Sequence, residues 1–172
     1  QIGGDARLLH AWDEQLVGAG ARITMRRAQV VADLSGRADE AHRGIAGDDR
    51  KLSLIYSPSV ECGASLDETA NAFRRRLSEL AVAEAARGVT LVGPHRDDIR
   101  FELDGVDVAA FGSQGQQRSV VLALKLAEVG FITYRVGQKP VLLLDDVLSE
   151  LDAGRRLRLM ELVEMGCQAL IT

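Results

Sequence analysis

The run Val141-Leu-Leu-Leu-Asp145-Asp146 constrains this chain more than any other feature. Four consecutive apolar residues suit a central strand of a parallel sheet, buried on both faces. The run stops abruptly at two carboxylates, and ligands collect at the carboxyl ends of such strands. Two acids placed there repel each other, and a divalent cation relieves the repulsion. Asp145 would hold Mg²⁺ against nucleotide phosphates, through water. Asp146 would orient the attacking water or accept its proton. Successive strand residues point to opposite faces, so the two acids need not share one role. The competing reading is a strand end followed by a solvated acidic turn.

The surrounding pattern is that of an α/β protein. Strands of 4–6 residues alternate with helical stripes in the second part, which predicts a mainly parallel sheet with flanking helices. Residues 5–45 carry helical spacing, with breaks expected at Gly18 and Gly20 and an antiparallel helix pair as the simplest outcome. Residues 52–56 read as a strand. Ser65 and Glu68 have capping-box spacing ahead of the stripe Leu66, Ala70, Phe73, Leu77 and Leu80, and Gly88 is the expected stop. Residues 89–92 read as a short strand. Ile99, Phe101 and Leu103 alternate with polar residues, and Asp104-Gly105 supplies hairpin-turn chemistry. A helix after Ser113 is expected to turn Val120, Val121, Leu124 and Ala127 inward, and another helix and strand follow Asp152.

A second feature is Gly112-Ser113-Gln114-Gly115-Gln116-Gln117-Arg118. Ser113 and Gln116 have the spacing of a capping box, so a helix begins there. Its unpaired amides and positive dipole end suit a phosphate, and Gly115 allows close approach. A capped helix after a glycine turn is the plainer alternative. The third feature, Ser149-Glu150-Leu151-Asp152, reads as a turn with Asp152 capping the next helix. A phosphate loop of the form G-x-x-x-x-G-K-[ST] needs Gly-Lys, and none of Lys51, Lys125 and Lys139 follows a glycine. Only part of a nucleotide site is therefore in hand. The first residue is Gln1, not Met, and the last residues are apolar, so a piece of a longer protein is expected.

Composition narrows the classes. Hydrophobic residues make up 47% and charged residues 27%, which excludes a disordered or collagenous chain. No run approaches the roughly 18–20 apolar residues of a membrane span. Cys62 and Cys167 are far apart and outside any C-x-x-C, which speaks against a zinc or redox pair and for a cytoplasmic location. The net charge of −4 gives no global attraction to nucleic acid, so any such binding needs local patches. The candidates are Arg26/Arg27, Arg74–Arg76 and Arg155/Arg156/Arg158, each of which also reads as a solvated helix face.

The order of these pieces resembles the second half of an ABC-type ATPase head, a P-loop NTPase fold. Within that superfamily it is similar to the RecF family of bacterial replication and recombinational repair proteins. The likeness is carried by Trp12-Asp13-x-Gln15-Leu16, Gly93-Pro94-His95-Arg96-Asp97-Asp98, Ser113-Gln114-Gly115-Gln116-Gln117-Arg118, Leu122-Ala-Leu-Lys-Leu-Ala127 and Leu142-Leu-Leu-Asp145-Asp146-x-x-Ser149-Glu150-Leu151-Asp152. The resemblance implies a helical, lid-like arm over residues 1–50. Residues 51–172 would then be the C-terminal part of the head. It implies ATP and Mg²⁺ as cofactors, with Asp145 as the Walker B metal acid and Asp146 as the catalytic carboxylate. Ser113, Gln114, Gly115 and Gln116 would grip the γ-phosphate held by the opposite subunit, and Ser149 and Asp152 would belong to the D-loop. It further implies an ATP-sandwiched homodimer that binds double-stranded or gapped DNA, with RecO and RecR as partners and slow hydrolysis resetting the clamp. Arg26 and Arg27 are the arm's DNA-binding candidates. Two alternatives are a nucleotide-gated binding module with little hydrolysis, and the head of another relative such as a chromosome-maintenance protein or transporter motor. The residues of Gly93-Pro94-His95-Arg96-Asp97-Asp98 have no firm mechanism; a turn with His95 and Arg96 bonded to neighbouring acids is the plain reading.

Overall fold

The computed structural model describes residues 2–145, 151–166 and 168–171. Its first element is a single 45-residue helix, α1 (Ile2–Ala46). The expected break at Gly18 and Gly20 does not occur, and no antiparallel pair forms. A helix-interior glycine costs only about 1 kcal/mol relative to alanine. Gly20 is used for packing: a Cβ there would lie 2.8 Å from Phe73 Cε1. Phe73 is fully buried, and burying such a side chain contributes roughly 1.5–3 kcal/mol, which outweighs the glycine.

The chain forms two compact units, residues 1–30 with 56–99 and residues 31–55 with 100–172. The first unit packs Val17 and Ala21 of α1 with Val60, Phe73, Leu77 and Val92. Phe73 and Leu77 belong to α2 (Leu66–Arg87). Ser65 caps α2 by accepting the Glu68 amide at 3.1 Å, and Glu68 reaches back to the Ala64 amide at 2.8 Å. The helix ends at Gly88, left-handed at φ 65°, as the sequence predicts. Residues 89–92 are not a strand. Their polar groups go to side chains instead of a ladder: the Leu91 amide donates to Glu84 at 2.6 Å, and Arg96 Nη2 donates to the Thr90 carbonyl at 3.0 Å. Val92 is nonetheless buried. A 3₁₀ turn follows over Pro94–Arg96.

Two small sheets follow, one of them wholly in the second unit and the other with most of its residues there. One has the order β1-β2-β3, from β1 (Leu52–Ser57), β2 (Asp98–Leu103) and β3 (Val106–Asp107). β2 and β3 form the expected antiparallel hairpin, with Leu103 opposite Val106. Asp104 and Gly105 both take positive φ, 50° and 80°, which a tight hairpin turn of this twist requires. β1 lies at a sheet edge, and α1 covers it: Asp39 accepts the Leu52 amide at 2.9 Å and Ser35 accepts the Leu54 amide at 3.1 Å. The short α3 (Val108–Phe111) and the long α4 (Gln114–Val136) follow. Along α4, Val120 and Ala127 are buried as expected, whereas Val121 is 58% exposed and Leu122 and Ala123 take the inner face.

The other sheet pairs β4 (Val141–Leu144) with β5 (Gln168–Ile171) in parallel, Leu142 opposite Ala169 and Leu144 opposite Ile171. Helix α5 (Ala153–Gly166) makes the crossover that a parallel pair needs. β4 is buried on one face only. Leu142 and Leu144 are inside, while Val141 and Leu143 are 52% and 70% exposed. The run was expected to be covered on both sides; instead its pleat sends Val141 and Leu143 outward, where the described residues leave them exposed. Among the described residues, no helix is long and apolar enough to cross a membrane.

Candidate functional site

The first turn of α4 is built by a full capping box. The Gln116 amide donates to Ser113 Oγ at 3.3 Å, and the Ser113 amide donates to Gln116 Oε1 at 2.7 Å. The Gln117 amide starts the helical ladder on the Ser113 carbonyl at 2.9 Å. The amides of Gln114 and Gly115 lie ahead of that ladder, where no helical carbonyl can reach them. Ser113 and Gln114 are exposed and Gly115 and Gln116 half-buried, so the turn is open to an incoming anion. Its approach is rigid. Gln117 Nε2 donates to the Val108 and Gly112 carbonyls at 3.2 and 3.3 Å, and the buried Ser119 hydroxyl donates to the Gly115 carbonyl at 2.9 Å. At Gly112 a Cβ would meet the Val108 carbonyl oxygen at 2.5 Å, so only glycine fits this turn.

In the same unit, Asp145 follows Leu144 directly and is exposed at the tip of β4. Asp146 and Ser149 lie outside the described residues. Asp152 accepts the Arg155 amide on Oδ1 at 2.9 Å, which caps α5 as the sequence predicts. That backbone hydrogen bond holds the Asp152 carboxyl below its ordinary value, with the Arg155 charge adding to it. Arg155 Nη1 also lies 3.5 Å from Asp152 Oδ2. The remaining arginines of this group act within the protein. Arg158 donates to the carbonyls of Ile45 and Ala46, at 2.9 and 3.2 Å, closing the end of α1, and Arg156 donates to the Leu151 carbonyl at 3.3 Å.

A metal at the Asp145 tip would need ligands beyond the side chains of the described residues. Among the described residues, no group of three His, Cys, Asp or Glu could hold a metal by itself. One exposed carboxylate at a strand tip fits Mg²⁺, which keeps most of its waters and completes its shell with substrate phosphates. The first-turn amides of a helix, which lie ahead of its own ladder, suit a phosphate oxygen.

The first unit gathers a different set. Asp97 accepts from the Tyr56 hydroxyl, from the Ser59 amide at 2.9 Å and from Arg27 Nη1 at 3.1 Å. Its side chain is only 2% exposed. Burial pushes the Asp97 carboxyl up, but the Ser59, Tyr56 and Arg27 hydrogen bonds outweigh it and hold the group below its usual value. Burial, then the Asp97 hydrogen bond, push the Tyr56 phenol to about 12. Ser59 Oγ donates to the Gly93 carbonyl at 2.9 Å, and Arg27 also bonds the Pro94 carbonyl. His95 and Arg96 do not pair with the neighbouring acids, as the sequence suggested; both turn to the Thr90 carbonyl. Arg26 is exposed on α1. Arg74 is occupied by Glu14, with both nitrogens within 3.0 Å of its oxygens. Tyr56 and Ser59 were missed in the sequence, since nothing local marks a long-range hydrogen-bond partner, and Arg155 was singled out only as a DNA-phosphate or solvated-face candidate, not as a partner of Asp152. The i,i+3 spacing of Asp152 and Arg155 was the one usable signal.

No family model matches the chain. Curated relatives do. The chain is 47% identical over 171 residues to the DNA replication and repair protein RecF of Symbiobacterium thermophilum, covering 98% of this chain and 46% of that protein. It is 44% identical over 165 residues to RecF of Rippkaea orientalis, covering 95% of this chain and 43% of that protein. A solved structure of the recombination mediator RecF with ATP, in the RecFOR pathway, superposes with a TM-score of 0.82 at 32% identity, covering 96% of this chain and 44% of that one. A second, described as RecF-ATPrS, superposes with a TM-score of 0.84 at 33% identity, covering 96% and 45%. The chain thus spans less than half the length of these relatives, and along nearly all of its own length it belongs to the RecF family.

Proposed function

We propose that this chain supplies one half of an ATP site in a DNA replication and repair protein, the two halves closing when two copies meet. The observation that carries the reading is the open first turn of α4, fixed by its capping box and approached by Arg155 of the Asp152 turn, in the same compact unit as the Asp145 tip. ATP binding by a similar protein supports it. Ser113, with the amides of Gln114 and Gly115, would bind the γ-phosphate presented by the opposite subunit, and Gln116 would hold the turn in shape. Asp145 would receive Mg²⁺, which when bound neutralises phosphate charge. Asp146 would accept a proton from the attacking water or orient it. Ser149 and Asp152 would face the opposite copy.

In this proposal residues 1–50 form an arm and residues 51–172 the C-terminal part of the head. Arg26 is the arm position free to meet a DNA phosphate, while Arg27 braces the arm through Asp97 and Pro94. The dimer would clamp double-stranded or gapped DNA and help to load recombinase there. RecO and RecR would be its partners, and slow hydrolysis would release it. The test is Ser113→Arg in the full-length protein, which places a long side chain at the phosphate position. ATP-dependent dimerisation, followed by light scattering, is expected to fall at least about tenfold, a 1.4 kcal/mol effect. Dimerisation equal to that of the unsubstituted protein would rule the α4 entrance out of the site.

A further inference from the structure

We infer that Arg155 is a positioning residue of this site, tying Asp152 to the entrance of α4 so that the two elements move as one. The inference rests on the proposed ATP site and deepens it.

The geometry is specific. A Cβ at Gly115 would lie 2.7 Å from Arg155 Nη1 and 3.7 Å from Cζ, so the guanidinium rests against the bare backbone of the α4 first turn. The same Nη1 lies 3.5 Å from Asp152 Oδ2, and the Arg155 amide donates to Asp152 Oδ1 at 2.9 Å. Arg155 is the more enclosed partner, its side chain 24% exposed against 60% for Asp152. One guanidinium thus touches both the D-loop residue and the signature glycine.

Local stability does not select a cation here. Arg155 sits in the first turn of α5 and packs on the first turn of α4, and the positive end of a helix disfavours a positive side chain. The exposed Asp152 carboxylate offsets part of that repulsion. A triphosphate arriving at Ser113 would offset more, so the arrangement is best balanced when the nucleotide is present. Gly115 has the matching constraint. Any side chain there displaces the guanidinium, and with it the tether to Asp152. A displacement of the Asp152 turn is therefore carried to the phosphate-binding amides of α4 through a planar group that contacts both.

The experiment is a double-mutant cycle in the full-length protein, with Arg155→Ala, Gly115→Ala and the pair. It reads dimerisation by sedimentation in the presence of ATP and Mg²⁺, with thermal unfolding of the unliganded proteins as the control for folding. Each single variant is expected to weaken ATP-dependent dimerisation at least tenfold. Because both act through one contact, the double variant should be no more than about twofold weaker than the stronger single one. Multiplied effects in the double variant, or singles within twofold of the unsubstituted protein, overturn the inference. Should Arg155→Ala fail to fold, the cycle with Arg155→Lys decides by the same criterion, since lysine keeps the charge but not the fork. If the unsubstituted protein does not dimerise with ATP, the underlying reading falls and the tether with it. If it dimerises and the variants are indifferent, only the tether falls.

Discussion

His42 sits on α1 with no exposed surface, and neither ring nitrogen has a hydrogen-bond partner among the described residues. Burial lowers its affinity for a proton below the ordinary 6.5. Of the charges around it, Asp48 and Asp39 oppose that shift and Arg50 and Arg155 reinforce it. The sign for stability follows. The unfolded chain takes up the proton as pH falls below about 6.5, while the folded chain resists it. This contribution is therefore complete above pH 6.5 and is lost progressively as pH falls from there to the lower folded value. The paired carboxylates Asp97 and Asp48 act in a separate window, below their ordinary 3.8. Denaturant midpoints of the full-length protein are expected to decline between pH 7 and pH 5.5, and His42→Leu to flatten that decline. An imidazole NMR titration for His42 at or above 6.5 would contradict the assignment.

Glycines decide how the longest element reads. Gly18 and Gly20 look alike in the sequence, and both suggest a helix break, yet α1 passes through both. Their surroundings differ: a Cβ at Gly18 meets nothing within 4 Å, whereas one at Gly20 meets the Phe73 ring at 2.8 Å. Gly18→Ala is expected to stabilise by roughly 0.5–1 kcal/mol through helix propensity. Gly20→Ala is expected to destabilise by about 1–3 kcal/mol, because the enclosed ring has nowhere to go. Opposite signs in urea unfolding check the pair, and equal signs would refute the packing role of Gly20. The contrast also shows where the sequence was legible. Capped helices at Ser65 and Ser113, stops at Gly88, and the Asp104-Gly105 hairpin follow local rules and form as expected. The continuity of α1, the loop at residues 89–92 and the half-open β4 depend on partners distant in the chain, such as Phe73 and Glu84, which periodicity does not encode. The candidate site divides the same way. Ser113, Asp145 and Asp152 announce themselves by motif, while the partners of Arg155 and Asp97, Gly115 for the one and Tyr56 and Ser59 for the other, are found only by proximity.

At the scale of the whole chain, a net charge of −4 means that the proposed DNA contacts would need local clusters of cations, and arginines such as Arg158 and Arg74 serve the fold instead. Nucleotide would then have to supply the switch, by joining copies so that their arms act together. Binding and turnover would be separable in such a device, because the groups proposed to grip the phosphates differ from the one proposed to handle the proton of water. In the proposed site, replacing Asp146 with asparagine would remove the base at nearly the same shape while leaving Asp145 to receive the metal and Ser113 to meet the opposite phosphate. The full-length Asp146→Asn protein is expected to form ATP-dependent dimers as readily as the unsubstituted one, while steady-state hydrolysis falls on the order of 100-fold, the scale of losing a general base. Its dimers should also persist longer on DNA, since release would wait on a slower step. Unchanged hydrolysis would remove Asp146 from the chemistry, and loss of dimers together with turnover would make it part of the grip instead of the trigger.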